Sequence, residues 1–542
     1  MLLHFGHSPS PGRLLSYSLV LLALFVLVTA PGRAGPIANT TSGSYVGTRD
    51  AQNNIDVFLS IRFASPPPAR FLQTLPIANT PEGQQAAAAF GADCPQLPAP
   101  LAVAGIPAGP PLRGANESED CFFVNLWRPA GTSAGAKLPI LVYIFGGGYF
   151  SGSGSEWNGT SLVRRSVVTK EPIIWITFNY RTGVLGFIGS AQAPPSALNV
   201  GLQDQPFGGD GSRITLSGES AGASSVHMHD FYPDSRQTFR AGISSSGTSL
   251  VSNTPACEWN DRPGGAYSNL GNVTDCGIGP GSFECLQNLP FETFWPLALT
   301  TYAVPPGGGL PEWGMTCKGP EGSLIDEYPV KKVINGEFLT LPIITGTNNN
   351  EGNFVIGTSF LELTPQPPLA LENSILSAFI AGHLTNFKNV SENTLSKLLD
   401  LYAHPTEDLS NSTLYDRATQ FETDYTFLTP QRLFLKTASA AQRTQDVWAY
   451  SWQQHLPGSP DFFGAFHTSD LHYLDIGFSQ DFYISFVNDL NPGTSWQKYT
   501  EEFQTVMRLL EGNVGPIADT VRRAQTDFLN QVEIMEEFGR FG

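Results

Sequence analysis

In the stretch RITLSGESAGASS, Arg213 to Ser225, one serine stands between two glycines, Gly218 and Gly222, at the end of a short apolar run. A serine hydroxyl is a weak nucleophile until a base takes its proton and hydrogen-bond donors receive the charge that builds on the attacked oxygen. Ser220 has the setting for that work. Ile214-Thr215-Leu216 reads as a strand and Ala221 to Met228 continues as a helix, so the serine sits on a sharp strand-to-helix turn with its hydroxyl exposed. Side chains two residues to either side would clash in such a turn, which accounts for both glycines. A second G-x-S-x-G, Gly131 to Gly135 around Ser133, lies in the polar run PAGTSAGAK ahead of a strand and reads as a loop.

Three further segments carry the partners that a reactive serine needs. LPILVYIF ends in Gly146-Gly147-Gly148-Tyr149, where bare backbone amides can approach a ligand that any side chain would block, as an oxyanion requires. LPIITG leads into TNNNEGNF and leaves Glu351 just past a strand end, and GAFHTSDL sets His467 before Ser469 and Asp470, residues able to cap a helix. Taken singly, three glycines are a flexible turn, an acid in a loop is solvated, and a lone histidine is structural. Together they suit acyl transfer. His227 and His229 stand two residues apart on the helix after Ser220, do not share a face, and have no H-E-x-x-H beside them, so they read as packing or surface residues. Neither a metal nor a cofactor is called for.

These groups need a scaffold. Short β-rich runs at Asp56 to Phe63, Phe122 to Trp127, Leu138 to Phe145, Ile173 to Asn179, Ile214 to Ser217, Ala241 to Ser244, Leu341 to Thr345 and Val447 to Ser451 read as strands. Several are continuously apolar, as strands covered on both faces are. Amphipathic helical patterns occupy Leu371 to Tyr402, Thr413 to Gln442, Trp496 to Leu510 and Ile517 to Phe538. The mixture is α/β with a mainly parallel sheet. No charged or low-complexity linker divides the 542 residues, so 36–542 read as a single domain.

A net charge of −18 with no run of Lys or Arg leaves no phosphate track and argues against nucleic acid. Arg13, the apolar run Leu14 to Val28, and Thr29-Ala30 read as a secretory signal over residues 1–30; the run is short for a membrane span and ends in small residues. Stable membrane insertion is not expected, and an extracellular location is. Secretion suits six cysteines and six N-x-S/T sequons, at Asn39, Asn116, Asn158, Asn272, Asn389 and Asn411.

In chain order, Ser220, Glu351 and His467 follow the Ser, acid, His sequence of the α/β-hydrolases. The chain resembles the type-B carboxylesterase, lipase and cholinesterase family from Gly43 to Tyr499, through GSYVGTRD, FLSIRFASPPPARF, EDCFFVNLWRP, YIFGGGYFSGS, NYRTGVLGF, FGGDGSRITLSGESAGASSVHMH, FRAGISSSGT, FECLQNLP, GTNNNEG, GAFHTSDLHY and NPGTSWQKY. The resemblance implies an α/β-hydrolase fold and a secreted, fungal-type serine esterase or lipase acting on small-molecule or lipid esters. It implies Ser220 as nucleophile, Glu351 as acid, His467 as base, and the amides of Gly147, Gly148 and Ala221 as the oxyanion hole. Ser246 resembles an auxiliary serine of some members. The family's usual disulfides correspond to Cys94 with Cys121 and Cys276 with Cys285; Cys257 and Cys317 are left over, a third pair or not. Nothing here sets the oligomeric state.

Departures from the family pattern are as informative. Phe145 precedes the three glycines where His or Tyr is common, and Asn350 precedes the acid where Asp is common. Residues 95–120 contain no aromatic side chain, which argues against choline esters, since a cation needs a ring. That loop, PQLPAPLAVAGIPAGPPLRG, either flanks an acyl site for apolar esters or is simply covered. In relatives, a helix of about four turns joins the N-x-G-L-x-D-Q segment to F-G-G-D, whereas NVGLQDQPFGGD here joins the two ends directly. Only Ala197 to Gln205 offers a weak helix between Tyr180 and Ile214, so one crossover helix before the serine is missing. That gap keeps a second reading open: an impaired or non-enzymatic binding or adhesion member of the same fold.

Overall fold

A run such as Ile214–Glu219, buried at every position, is stable only as a central strand with cover on both faces. The computed structural model describes residues 35–97, 116–133, 135–206, 210–233, 238–248, 254–302, 312–314, 316–357, 360, 367–382, 390–403, 413–440, 443, 445–475, 477 and 479–541. Among these, the strand lies in an eleven-stranded sheet. Its spatial order is Gly515–Ala518, Thr505–Leu509, Val447–Trp452, Ile343–Asn348, Ala241–Ser245, Ile214–Glu219, Ile140–Ile144, Ile174–Phe178, Phe123–Pro129, Ile55–Arg62, Thr48–Asp50. From Thr505–Leu509 through to Ile174–Phe178 every neighbour is parallel; the outer pairings are antiparallel. Helices cover the sheet, as a parallel α/β fold requires. A small second sheet is made by Ile37–Thr40, Gly43–Val46 and Gln84–Ala86. Residues 36–542 form one compact unit.

The expected strands are all present within a few residues. The helical expectations are only partly so. Leu371 to Tyr402 is two helices, Leu369–Gly382 and Glu392–Leu401, the second restarted by Ser391, whose side chain accepts from the Thr394 amide. Trp496 to Leu510 is not a helix. Its last part is the strand Thr505–Leu509, drawn out because Tyr450 to Trp452 of the neighbouring strand pair with Met507 to Leu509. Ahead of that strand, the Trp496 indole donates to the Ala449 carbonyl and the Tyr499 amide to that of Val447, which holds the segment extended. Ile517 to Phe538 likewise opens inside the edge strand Gly515–Ala518 before the helices Arg523–Leu529 and Val532–Glu537.

The crossover from Ile174–Phe178 to Ile214–Glu219 has no long helix among its described residues. It carries two helices of four residues, Gly183–Gly186 and Val200–Gln203, with single 3-10 turns at Pro195–Ala197 and Gly211–Arg213. A buried Arg181–Asp204 ion pair, 2.6 Å, ties its ends. Phe207 to Gly209 lie outside the described residues, as do residues 1–30 and most of the proline-rich loop.

Candidate active site

Ser220 follows the strand Ile214–Glu219 and precedes the helix Ala221–Phe231. Its backbone sits at φ 57, ψ −122, a region that L residues rarely adopt and that persists only when the surroundings enforce it. A Cβ on Gly222 would collide with the Ile144 carbonyl oxygen, and one on Gly218 with the Gly222 carbonyl. Strand, helix and neighbouring strand end approach too closely there for any side chain. Ser133, in the second G-x-S-x-G, lies in an exposed turn.

The neighbouring strand Ile140–Ile144 runs into the glycine loop. A Cβ on Gly146 would lie 3.0 Å from Ser220 Cβ, so the loop passes directly beside the serine. Gly147 and Gly148 both have positive φ, 100° and 61°, and Gly147 accepts from the amides of Phe150 and Ser151, closing a tight turn. Phe145, buried at the strand end, stacks on Tyr180 at 4.2 Å, and the Tyr180 hydroxyl donates to the Phe145 carbonyl.

Glu351 opens the helix Glu351–Ile356, three residues beyond the end of Ile343–Asn348, and is fully buried. Its Oε1 accepts from the Asn348 amide at 2.6 Å. His467 comes from the loop after Asp461–Phe463. The imidazole joins the two other groups: Nδ1 lies 2.7 Å from Glu351 Oε2 and Nε2 2.9 Å from Ser220 Oγ. The three side chains thus form one hydrogen-bonded chain across 247 residues of sequence.

Two further carboxylates lie beside this chain: Glu219, which the sequence pattern does not single out, and Asp470, expected only as a residue able to cap a helix. Glu219, next to the serine, places Oε1 3.4 Å from His467 Nε2. Asp470 accepts from Asn348 Nδ2 at 3.2 Å and from the Tyr450 hydroxyl at 3.2 Å. An acid directly before the serine, in Gly218-Glu219-Ser220, was the available clue. Burial, reinforced by the charges of Asp470 and Glu351, lifts the Glu219 carboxyl to about 8. Asp470 is lifted to about 6 by burial and then by the Glu351 charge. Burial opposes a proton on His467, but Glu219, the hydrogen bond to Glu351 and the remaining carboxylate charge outweigh it and raise the imidazole to about 9. The Glu219 charge is the largest of the raising contributions, and a proton on Glu219 removes it. The two groups are coupled: a charged Glu219 favours a proton on His467, and a protonated Glu219 withdraws that support.

His227 and His229 are both buried in the helix after Ser220. His227 stands edge-on to Phe434 at 4.5 Å and burial depresses its pKa to about 3, so it is a neutral packing residue. His229 Nε2 meets Gln205 Oε1 at 2.6 Å. No group of acidic, His or Cys residues among the described ones is arranged to hold a metal. The Ser246 hydroxyl is buried without a hydrogen bond among the described residues. Cys94 is joined to Cys121, Cys257 to Cys317 and Cys276 to Cys285.

Residues 34–529 match the model of the carboxylesterase family. The chain is 29% identical to secreted lipase 1 of Botryotinia fuckeliana, over 92% of its own length and 93% of that protein's. It is 28% identical to lipase 1 of Geotrichum candidum, over 90% and 94%. Among solved structures, EstA of Aspergillus niger superposes with a TM-score of 0.74 at 23% identity, covering 93% of this chain and 99% of that one. At that identity the likeness is one of fold.

Proposed function

We propose, from the premise that this chain belongs to the carboxylesterase family and is a carboxylic ester hydrolase, that it works by an acyl-enzyme mechanism with Ser220 as nucleophile, His467 as base and Glu351 as acid. The observation that carries the reading is the unbroken chain Ser220 Oγ, His467, Glu351 at 2.9 and 2.7 Å. His467 Nε2 takes the serine proton as Oγ bonds to the ester carbonyl carbon, and Glu351 holds the Nδ1 tautomer. The carbonyl oxygen becomes an oxyanion that accepts from the amides of Gly147, Gly148 and Ala221. Collapse breaks the bond to the alkoxide, which leaves with the proton from His467. Water then gives a proton to His467 and adds to the acyl carbon, and as the bond to Oγ breaks His467 returns that proton to Ser220, releasing the acid.

Phe354, half-buried with its ring centroid 5.9 Å from that of the imidazole, lies beside the site and favours substrates with apolar acyl groups. The relatives named lipases support the same class. We assign residues 1–30 to a secretory signal and 36–542 to the enzyme domain. Three disulfides, exposed sequons at Asn39, Asn116, Asn158 and Asn272, and a relative named as secreted support release from the cell. No described helix is long and apolar enough to cross a membrane.

A serine-directed alkyl phosphonate tests the mechanism. It should attach to Ser220, with labelling lost in His467→Ala, because attack needs both base and oxyanion hole. An adduct on another residue would overturn the assignment. A series of p-nitrophenyl esters tests the substrate class: kcat/KM should rise from acetate to longer acyl chains, and a maximum at acetate would reject an apolar acyl site.

A further inference from the structure

The residues 413–438 form one helical run interrupted by a π turn, Thr423–Leu428, between the α-helices Thr413–Glu422 and Thr429–Ala438. Such turns are rare and occur mostly as single inserted turns near functional sites. Pro430 supplies a cause. It has no amide hydrogen, and in an unbroken α ladder its ring would press on the Thr426 carbonyl four residues back. Widening the preceding turn relieves the clash and rotates the side chains of that turn relative to the helix before it.

The turn reaches two members of the Ser220 chain, the backbone beside Glu351 and the ring of His467. Thr423 Oγ1 accepts from the Gly352 amide at 2.9 Å, one residue past Glu351, and donates to the Thr419 carbonyl at 2.8 Å. Gly352 is pressed so closely on Thr419 that a Cβ would collide with its carbonyl oxygen. Phe427, 3% exposed, lays its ring against His467 at 4.8 Å and an interplanar angle of 41°. The turn is itself anchored. Asp424 accepts from the Tyr402 hydroxyl at 2.9 Å and from Arg522 Nε at 2.7 Å, and Tyr425 stacks on Phe421 at 5.5 Å.

We infer that the π turn enforced by Pro430 is a positioning device for the imidazole, with Phe427 as the positioning residue that holds the His467 ring between Ser220 and Glu351. The inference rests on the reading of His467 as the base. Nδ1 and Nε2 must face their partners at once, and both hydrogen bonds lie in the ring plane, so the ring has little freedom to tilt. A wall at 4.8 Å limits that tilt from the side, while Thr423 steadies the backbone behind Glu351.

The test uses the full secreted chain and p-nitrophenyl butyrate. Phe427→Ala and the milder Phe427→Leu should lower kcat, the former by ~10- to 100-fold, with little change in KM, since a misplaced reactive group costs turnover and not binding. The rate of phosphonate attachment to Ser220 should fall in parallel. Pro430→Ala lets the α ladder close and should lower kcat in the same way, with the double variant no worse than the more impaired single one, because both act on one geometry. Folded Phe427 variants that raise KM at unchanged kcat would make Phe427 a substrate contact and overturn the inference. So would a folded Pro430→Ala protein with full kcat. Ser220→Ala serves as the separate check on the underlying reading: ester hydrolysis surviving in it would defeat that reading whatever the Phe427 variants do.

Discussion

At the scale of single residues, the site is a buried set of three carboxylates around one imidazole, and its pH behaviour follows from that. In the proposed mechanism a protonated His467 cannot act as base, so turnover should fall as pH drops through its pKa. The surrounding carboxylates raise that pKa from its ordinary value, to about 9, so the acid limb of kcat/KM should lie above the usual 6.5 of a free histidine. Glu219→Gln removes the largest raising contribution and should move the limb to lower pH while activity persists; an unmoved limb would show that Glu219 does not act on the base. Ser220→Ala and His467→Ala should each lower turnover by several orders of magnitude, because nucleophile and base act as one unit. Ser133→Ala should leave it unchanged. Loss on changing Ser133, with activity kept on changing Ser220, would reverse the assignment of the two G-x-S-x-G motifs. The distinction between them was legible from their flanks, apolar and then helical for one, polar for the other. Glu219 was not singled out, since its effect depends on a histidine 248 positions away in the chain that only folding brings within 3.4 Å.

At the scale of elements, the turn at Ser220 is held by close approach together with the hydrogen bond that the Ser220 amide donates to the Ser245 carbonyl at 3.0 Å. Strand Ile140–Ile144, strand Ile214–Glu219 and helix Ala221–Phe231 meet where Gly218 and Gly222 leave no volume for a methyl group. Gly222→Ala should therefore disrupt the turn and abolish esterase activity together with a measurable fall in thermal midpoint, overpacking of this kind costing roughly 1 to 3 kcal/mol. An active Gly222→Ala enzyme with an unchanged midpoint would mean that the strand end relaxes freely. Strand existence was readable from apolar runs because a strand buried on both faces has few alternatives. Thr505–Leu509 was not, since its apolar residues fit a helical pattern as well and the pairing with Tyr450 to Trp452 decides between them.

At the scale of the whole molecule, the short crossover bears on how the sheet can be covered. Leu126, Ile176, Val142 and Leu216 are cross-strand neighbours on the face that carries the helix after Ser220, and the same row continues to Gly242, 3.0 Å from Val226 if given a Cβ. Val142 and Leu216 are buried there, but Leu126 and Ile176 are only half-buried, as are Ile140 and Ile174 nearby. Among the described residues, these half-buried side chains lie toward the Phe123–Pro129 side of the row. Each large apolar side chain that loses its cover forfeits up to about 1.5 to 3 kcal/mol, and several such losses are a large part of the roughly 5 to 15 kcal/mol that holds a domain together. We therefore expect the native transcript to encode an additional helical segment between Gln205 and Phe207, and a chain lacking it to be poorly folded. Sequencing the spliced message across this junction decides the point; an uninterrupted DQPFGG with a soluble, active product of that length would reject it. The sequence by itself determined the fold class, the chain order of Ser220, Glu351 and His467, and the short crossover, because each is written in local pattern: apolar runs, turn glycines, a missing amphipathic stretch. Only the tertiary structure decided the approach of Glu219 to His467, the ring of Phe427 laid against the imidazole, and which side chains of the sheet are left half-buried. Those depend on distances between residues far apart in the chain, set when the two faces of the sheet are packed, and no local pattern records them.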